Sequence, residues 1–131
     1  MNKTAGKPKK AQILIVEDET LLNEAYETVL KHEGYEVHKA FNGEEALEVL
    51  KKNTPDLILL DLRMPKMDGL TFLSELQKKA HPNYKIIVFS NYDVQKDIDS
   101  SFDLGATHYV LKAYASPKEL VRIVRNSLID E

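Results

Sequence analysis

Cysteine is absent from the 131-residue sequence, and long apolar runs are absent as well. Without cysteine the chain can form no disulfide, thiolate zinc site or iron–sulfur cluster, and it has no cysteine nucleophile. Its longest apolar runs are far too short to cross a bilayer. The basic first ten residues are not followed by the apolar segment of a secretory signal. We therefore expect a cytoplasmic protein with no membrane partner.

A large excess of one charge is also missing, since 18 Lys and Arg face 21 Asp and Glu, for a net charge of −3. The chain thus has no overall basic field, and we expect no direct binding to nucleic acid. The length and the 43% hydrophobic content fit one globular domain. Residues 1–10 carry four lysines without apolar periodicity. We predict a disordered basic tail over residues 1–10 and one domain over residues 11–131.

Five short apolar runs recur along the chain, at residues 13–16, 35–37, 57–60, 86–89 and 109–111. Their starts lie about 22 to 29 residues apart, which leaves room for one helix in each interval. Parallel strands need crossovers of this kind, so the spacing predicts five βα units and an α/β fold.

Burial orders these strands within the sheet. The runs at 13–16, 57–60 and 86–89 are continuously apolar, as expected of strands covered on both faces. The other two runs alternate or are short, which suits sheet edges. Right-handed crossovers then give a doubly wound, three-layer sheet of five parallel strands in the order 2-1-3-4-5, a flavodoxin-like architecture.

The helices are indicated by caps and by apolar spacing. Asn42 and Ser116 each precede a Glu by three residues, a capping-box pattern, and Pro117 suits a first helical position. Apolar residues at helical spacing are expected to face the core. In the first and fourth helices these include Leu21, Ala25, Val94, Ile98 and Phe102.

Polar side chains follow four of the five strands. Glu17 and Asp18 follow the first strand, Asp61 the third, Ser90 the fourth and Lys112 the fifth. Each alone has a local explanation as a cap, a turn residue or a solvated charge. Ligands of such sheets bind outside the carboxyl ends of the strands, where the winding reverses. The coincidence of all five residues at that edge therefore predicts a functional site.

Three carboxylates at one edge repel each other, and a divalent cation would relieve that repulsion. An all-oxygen site with few protein ligands suits Mg²⁺, or Mn²⁺ in its place. If Asp61 attacks a phosphoryl group, Lys112 and the metal can hold the added charge, and the Ser90 hydroxyl can donate a hydrogen bond.

Four stretches, residues 13–19, 57–69, 88–90 and 105–112, resemble the receiver domains of two-component response regulators, the family of chemotaxis-regulator-like folds. The resemblance implies that a sensor histidine kinase or a phosphotransfer protein phosphorylates Asp61. It also implies a phosphoacceptor switch without independent turnover, rather than an enzyme. Output would pass to a downstream protein or to an output domain, and the sequence leaves open whether the chain is a stand-alone receiver or a fragment.

The resemblance also assigns roles to the site. It implies Mg²⁺ on the side chains of Glu17, Asp18 and Asp61 and on the backbone carbonyl of Arg63. It implies phosphoryl contacts from Ser90 and Lys112. Tyr109 matches an aromatic whose inward swing accompanies movement of the residue at the Ser90 position. That swing alters the surface formed by the fourth helix, fifth strand and fifth helix.

Two residues depart from the usual pattern of these domains. Glu17 replaces the commoner Asp and is one methylene longer, so its metal contact is expected to run through water. Ala113 stands where a proline usually follows the lysine. A cis peptide costs about 3–4 kcal/mol before a residue other than proline, so we predict a trans Lys112–Ala113 bond with a shifted turn.

Arg63 and Tyr92 each lie two residues beyond a site residue, Asp61 and Ser90 respectively. A guanidinium stacked on the phenol ring, or bonded to phosphoryl oxygens, would obstruct the water that hydrolyses an aspartyl phosphate. The alternative is that both are solvated loop residues without effect. They are therefore candidates for setting the phosphoryl lifetime.

The pattern bears on three other classes of protein. A haloacid-dehalogenase-type phosphatase needs a second acid two residues after its nucleophile, and this chain has Arg63 there. A flavodoxin-like cofactor carrier needs a phosphate-binding loop after the first strand, where acids stand instead. A pseudo-receiver that acts as an interaction module without phosphorylation remains open because of Ala113.

Overall fold

A computed structural model of the protein describes residues 10–79 and 84–129. Most of the predicted tail lies outside the described residues, and only Lys10, which is exposed, falls within them. No helix in this part of the chain has both the length and the apolar character needed to cross a bilayer.

Strands and helices alternate along the chain. They are β1 Gln12–Val16, α1 Thr20–His32, β2 Glu36–Ala40, α2 Gly43–Leu50, β3 Leu57–Asp61, α3 Gly69–Gln77, β4 Lys85–Ser90, α4 Gln95–Asp103, β5 His108–Leu111 and α5 Pro117–Ile129. A short 3-10 turn, Lys112–Tyr114, follows β5. The second strand begins one residue later than its predicted run and extends three residues beyond it, because pairing with β1 continues to Ala40.

The five strands form one parallel sheet in the order β2-β1-β3-β4-β5, which confirms the predicted topology. Strand pairing aligns the carboxyl ends, since Val16 lies opposite Leu60, Asp61 opposite Phe89 and Ser90 opposite Leu111. The residues that end these strands, or directly follow them, are thus brought to one edge of the sheet.

Apolar side chains cover both faces of the sheet, as the continuous runs required. On one face Leu60 and Val88 pack with residues of α2 and α3, such as Ala46 and Phe72. On the other, Leu59 packs with residues of α1 and α5. The three central strands are therefore held from both sides, which fixes their ends.

The predicted caps are present. The Asn42 side chain accepts a hydrogen bond from the Glu45 amide at 2.9 Å, and the Glu45 carboxylate accepts one from the Phe41 amide at 2.9 Å. The Ser116 hydroxyl accepts a bond from the Glu119 amide at 3.3 Å, and α5 begins at Pro117. These bonds satisfy amides that a helix start leaves without intrahelical partners.

The core prediction was wrong for three apolar residues. Leu21 is 83% exposed, because the buried stripe of α1 runs through Asn23, Tyr26 and Leu30 instead. Phe102 and Val94 are also exposed, since α4 turns Ser101 toward the core. Helical spacing identifies several possible stripes, and contact with the sheet selects one of them.

Gly69 starts α3 directly beside the end of β3. Its amide donates to the Leu62 carbonyl at 2.8 Å. A Cβ at this position would lie 2.6 Å from the Asp61 carbonyl oxygen and 2.7 Å from the Leu62 Cα. Because both are backbone atoms, a side chain here would push α3 away from the strand that ends in Asp61.

We therefore expect Gly69→Ala to destabilise the protein by about 1–3 kcal/mol through overpacking. Thr71→Ala, at an exposed position of the same helix, should stay within about 0.5 kcal/mol of the parent. Urea unfolding of the three proteins measures both values. Equal midpoints for Gly69→Ala and Thr71→Ala would contradict the close-approach argument.

Candidate functional site

The predicted acids do converge. Glu17 and Asp18 follow β1, Asp61 ends β3, and each offers a carboxylate oxygen within 4.8 Å of the other two. Glu17 and Asp61 are buried, whereas Asp18 is partly exposed. Within residues 10–79 and 84–129, no other group of three or more acids, histidines or cysteines lies close enough to share a metal ion.

Lys112 supplies the cation that faces these acids. Its Nζ lies 2.8 Å from the Glu17 Oε1 and 3.2 Å from the Asp61 Oδ2, and 3.8 Å from an oxygen of the exposed Glu19. The Lys112 side chain is only 8% exposed. One buried ammonium is thus shared between two buried carboxylates, and Asp18 adds a third negative charge beside them.

The pKa values of the site reflect this imbalance. Burial raises the pKa of Glu17 to about 7, although the bonds from Lys112 and from the Glu19 amide act to lower it. Burial also raises the pKa of Asp61, against the opposing charge of Lys112. For Lys112, burial alone would lower the pKa, but its bonds to Glu17 and Asp61 leave it raised. All three pKa values are raised. Lys112 is stabilised as a cation by two carboxylates, whereas Glu17 and Asp61 have only this one ammonium between them to offset their burial.

The donor set fits a hard divalent cation. Glu17 Oε1 is buried and, apart from its ion pair with Lys112, accepts no hydrogen bond from the described residues. Its neighbours in the cluster are carboxylate oxygens, the ligands that such cations prefer. A cation here would offset both the desolvation of Glu17 and the repulsion among the three acids.

Asn23 holds the backbone that carries the acids, and sequence reasoning missed it. It is fully buried, and its Nδ2 donates to the carbonyls of Glu17, at 2.8 Å, and Ala40, at 3.2 Å. The Glu19 amide donates to Glu17 Oε2 at 3.0 Å, which orients that carboxylate. The sequence feature that could have identified Asn23 is its helical spacing from Tyr26 and Leu30, because these three residues form the buried stripe of α1.

Ser90 lies at the same edge, at the end of β4. It is fully buried, and its Oγ accepts a hydrogen bond from the Tyr92 amide at 3.1 Å. The Tyr109 hydroxyl donates to the Tyr92 carbonyl at 2.9 Å. The loop after β4 is therefore tied through Tyr92 both to Ser90 and to the aromatic of β5.

The loop after Lys112 has the trans peptide that the sequence predicts, since no described peptide bond is cis. The Ala115 amide donates to the Lys112 carbonyl at 3.0 Å and closes the 3-10 turn. The buried Tyr26 hydroxyl donates to the Ala115 carbonyl at 3.1 Å. Tyr26, which the sequence analysis did not single out, thus anchors the loop that follows Lys112.

Arg63, in the loop after β3, and Tyr92, in the loop after β4, lie in contact with each other. The Arg63 Cζ is 4.8 Å from the centre of the Tyr92 ring, within the range of a cation–π contact. A guanidinium nitrogen of Arg63 lies 2.6 Å from the Asp97 Oδ2 on α4. The Arg63 amide donates to Asp61 Oδ1 at 3.3 Å. Asp97 was not among the predicted site residues, because its spacing marks it only as an acid in a first helical turn.

Comparison with known proteins agrees with this geometry. The family model for the response regulator receiver domain matches residues 13–125, and the chain belongs to that family. It is the receiver domain of a two-component response regulator, as the sequence resemblance indicated.

Particular relatives are similar over most of this chain. The probable transcriptional regulator ycf27 of Pyropia yezoensis is 41% identical over 92% of this chain and 48% of its own length. The protein of the same description from Porphyridium aerugineum is 38% identical over 92% and 49%. This chain therefore spans about half the length of the curated relatives it matches.

Among solved structures, a CheY-like receiver domain protein from Methanospirillum hungatei JF-1 superposes with a TM-score of 0.86. It is 29% identical, and the match covers 93% of this chain and 96% of that one. The fold found here is thus the receiver fold.

The raised pKa of Glu17 predicts how metal-free stability changes with pH. Below the ordinary value of 4.5, Glu17 is protonated in both folded and unfolded chains, so burial carries no charge penalty. As the pH rises from there through about 7, the unfolded chain loses its proton first, and the contribution of Glu17 to stability is lost.

We expect the free energy of unfolding of Glu17→Gln, relative to that of the parent, to increase from pH 5 to pH 8 in the presence of a chelator. Glutamine is neutral throughout, so it removes this pH dependence. Urea unfolding across the range tests it, with Glu44→Gln, an exposed position outside the site, as the control. A difference from the parent that stays constant for Glu17→Gln would contradict the expectation.

Proposed function

We propose that this receiver domain is a working phosphoacceptor, in which Asp61 takes a phosphoryl group from a sensor histidine kinase or a phosphotransfer protein. The observation that carries the proposal is the position of the Asp61 carboxylate, 3.2 Å from the buried Lys112 ammonium and within the cluster of Glu17 and Asp18. Phosphoryl transfer to an aspartate uses a carboxylate nucleophile, a cation and acids that hold a metal ion. In this proposal Asp61, Lys112 and the pair Glu17 and Asp18 fill these roles at one edge of the sheet.

The carboxylates of Glu17, Asp18 and Asp61 and the backbone carbonyl of Arg63 would hold Mg²⁺, or Mn²⁺ in its place. When bound, the ion neutralises part of the charge on these acids and on the phosphoryl oxygens. The longer Glu17 side chain suits a contact through a metal-bound water.

In the transfer itself, an Asp61 oxygen attacks phosphorus and forms an O–P bond. The bond between phosphorus and the donor imidazole nitrogen breaks, and its electron pair stays on the imidazole. One carboxylate charge is then replaced by about two charges on the phosphoryl group. Lys112 is placed to pair with that added charge, and the Ser90 hydroxyl proton is free to be donated to a phosphoryl oxygen.

The bonds around Tyr92 support a route for the switch. If Ser90 moves toward the phosphoryl group, its bond to the Tyr92 amide is given up and the loop shifts. The Tyr92 carbonyl then no longer holds the Tyr109 hydroxyl, which frees the Tyr109 ring to swing inward. The surface of α4, β5 and α5 changes as a result and passes the signal on.

Output is proposed to go to a downstream protein or to an output domain outside this chain. The curated relatives are described as probable transcriptional regulators and are about twice as long, which supports an output domain in the whole protein. The net charge of −3 supports no direct nucleic-acid contact by the receiver itself. We place it in the cytoplasm, as a switch with no independent turnover reaction.

A second candidate is a pseudo-receiver that binds partners without phosphorylation. Ala113, in place of the usual proline, favours it, because the loop that aims Lys112 is then built differently. Phosphorylation measured directly separates the two.

We expect Mg²⁺-dependent incorporation of label from radiolabelled acetyl phosphate, and expect Asp61→Asn to abolish it because the amide is a poor nucleophile. Lys112→Ala should still take up label, but its α4, β5 and α5 surface should not change. Asp103→Asn, an exposed acid of α4, serves as the matched control. Full labelling of Asp61→Asn would show that the site is wrongly assigned, and an unlabelled parent would favour the pseudo-receiver.

The Arg63–Tyr92 contact predicts a long phosphoryl lifetime. The loops that carry both residues border the approach of water to the aspartyl phosphate, and such a contact is worth about 0.5–1 kcal/mol at an exposed site. Since about 1.4 kcal/mol is tenfold in rate, dephosphorylation should become severalfold faster in the double variant Arg63→Asn, Tyr92→Glu. Each single variant should show less.

The half-life of the labelled protein is the measurement. Lys96→Asn removes an exposed cation from α4 and should leave the half-life unchanged. Identical half-lives in the double variant and the parent would rule out a shielding role for this pair.

A further inference from the structure

The Arg63 side chain, in the loop after β3, contacts two residues that follow β4, Asp97 and Tyr92. Its guanidinium pairs with Asp97 Oδ2 at 2.6 Å and lies 4.8 Å above the Tyr92 ring. The Asp97 side chain is only 13% exposed, whereas that of Arg63 is 55% exposed. The mostly buried carboxylate of Asp97 on α4 thus holds the exposed guanidinium of Arg63, which lies in the loop after β3.

The backbone of Asp97 is anchored within α4. It lies in the first turn of α4, and its backbone carbonyl accepts a bond from the buried Ser101 hydroxyl at 2.7 Å. The Arg63–Asp97 ion pair therefore connects the loop after β3 with the start of α4. The Arg63 amide bonds Asp61 Oδ1 at 3.3 Å, so the same residue touches both the phosphoacceptor and α4.

A phosphoryl group on Asp61 would offer Arg63 a second anion. It carries about two negative charges and three acceptor oxygens, and guanidinium pairs with such a group in bidentate geometry. The Asp97 carboxylate carries only one negative charge, and it pairs with the Arg63 guanidinium in the unphosphorylated protein. The guanidinium is directed at Asp97 and lies over the Tyr92 ring, so a bidentate bond to the phosphoryl oxygens would require it to turn away from Asp97.

We infer that Asp97 is a positioning residue that competes with the phosphoryl group of Asp61 for the Arg63 guanidinium. The inference rests on the proposed function of Asp61. In the unphosphorylated state Asp97 keeps Arg63 on α4 and so ties α4 to the loop after β3. When Arg63 turns to the phosphoryl oxygens, α4 loses that tie. Phosphorylation is thereby coupled to α4 through a change of partner by Arg63.

Binding of beryllofluoride, an unreactive phosphoryl mimic, in the presence of Mg²⁺ tests the competition by calorimetry. Asp97→Asn removes the competing charge with little change in shape. It should bind the mimic about two- to fivefold more tightly, the range expected for loss of a partly exposed ion pair. Asp99→Asn is the matched control, because Asp99 is an exposed acid on the same helix that bonds Gln95 instead.

A double-variant cycle separates a change of partner from a general charge effect. In an Arg63→Gln background, Asp97→Asn should give no further gain in affinity for the mimic. A gain that persists there, or equal affinities of Asp97→Asn and the parent, would overturn the competition and leave the proposed function standing. A parent that binds no beryllofluoride would overturn both.

Discussion

A deficit of positive charge at the carboxyl edge of the sheet is the constraint on which the site depends. Glu17, Asp18 and Asp61 face one ammonium, that of Lys112, and two of the three acids are buried. Burial disfavours their charged forms, so the contribution of Glu17 to metal-free stability falls as the pH rises toward about 7. Parallel pairing of apolar central strands, packed on both faces, holds the acids together against that repulsion. A divalent cation bound among these acids would relieve the repulsion between them.

Sequence alone predicted the sheet because its signal is short-range and strong. A continuous apolar run such as residues 57–60 requires cover on both faces, and a polar residue directly after it must lie at the edge. This reasoning placed Asp61 and Lys112 together although 51 residues separate them. It failed for Leu21 and Phe102, since the rotation of a helix about its axis is decided by contacts with the sheet.

Residues that support the site were missed for a different reason. Tyr26 bonds the carbonyl of Ala115, 89 residues away, and Asn23 bonds that of Ala40, 17 residues away. No local sequence pattern predicts either hydrogen bond, because each depends on where two segments distant in the sequence meet. The Tyr26 hydroxyl nevertheless anchors Ala115, three residues beyond Lys112, in the trans loop before α5.

The loop around Tyr92 shows why a small chemical change can be transmitted. Its amide bonds Ser90, its carbonyl bonds Tyr109, and its ring lies under Arg63. Each such contact is worth about 0.5–1.5 kcal/mol net, so none of them alone fixes the loop. Charge-assisted bonds to a phosphoryl group are stronger than these neutral ones. Because the contacts converge on one residue, the proposed exchange of one partner would weaken the others, and two arrangements of the loop would then differ by only a few kcal/mol. A switch of this kind needs no large motion, only a rearrangement of bonds that are already present.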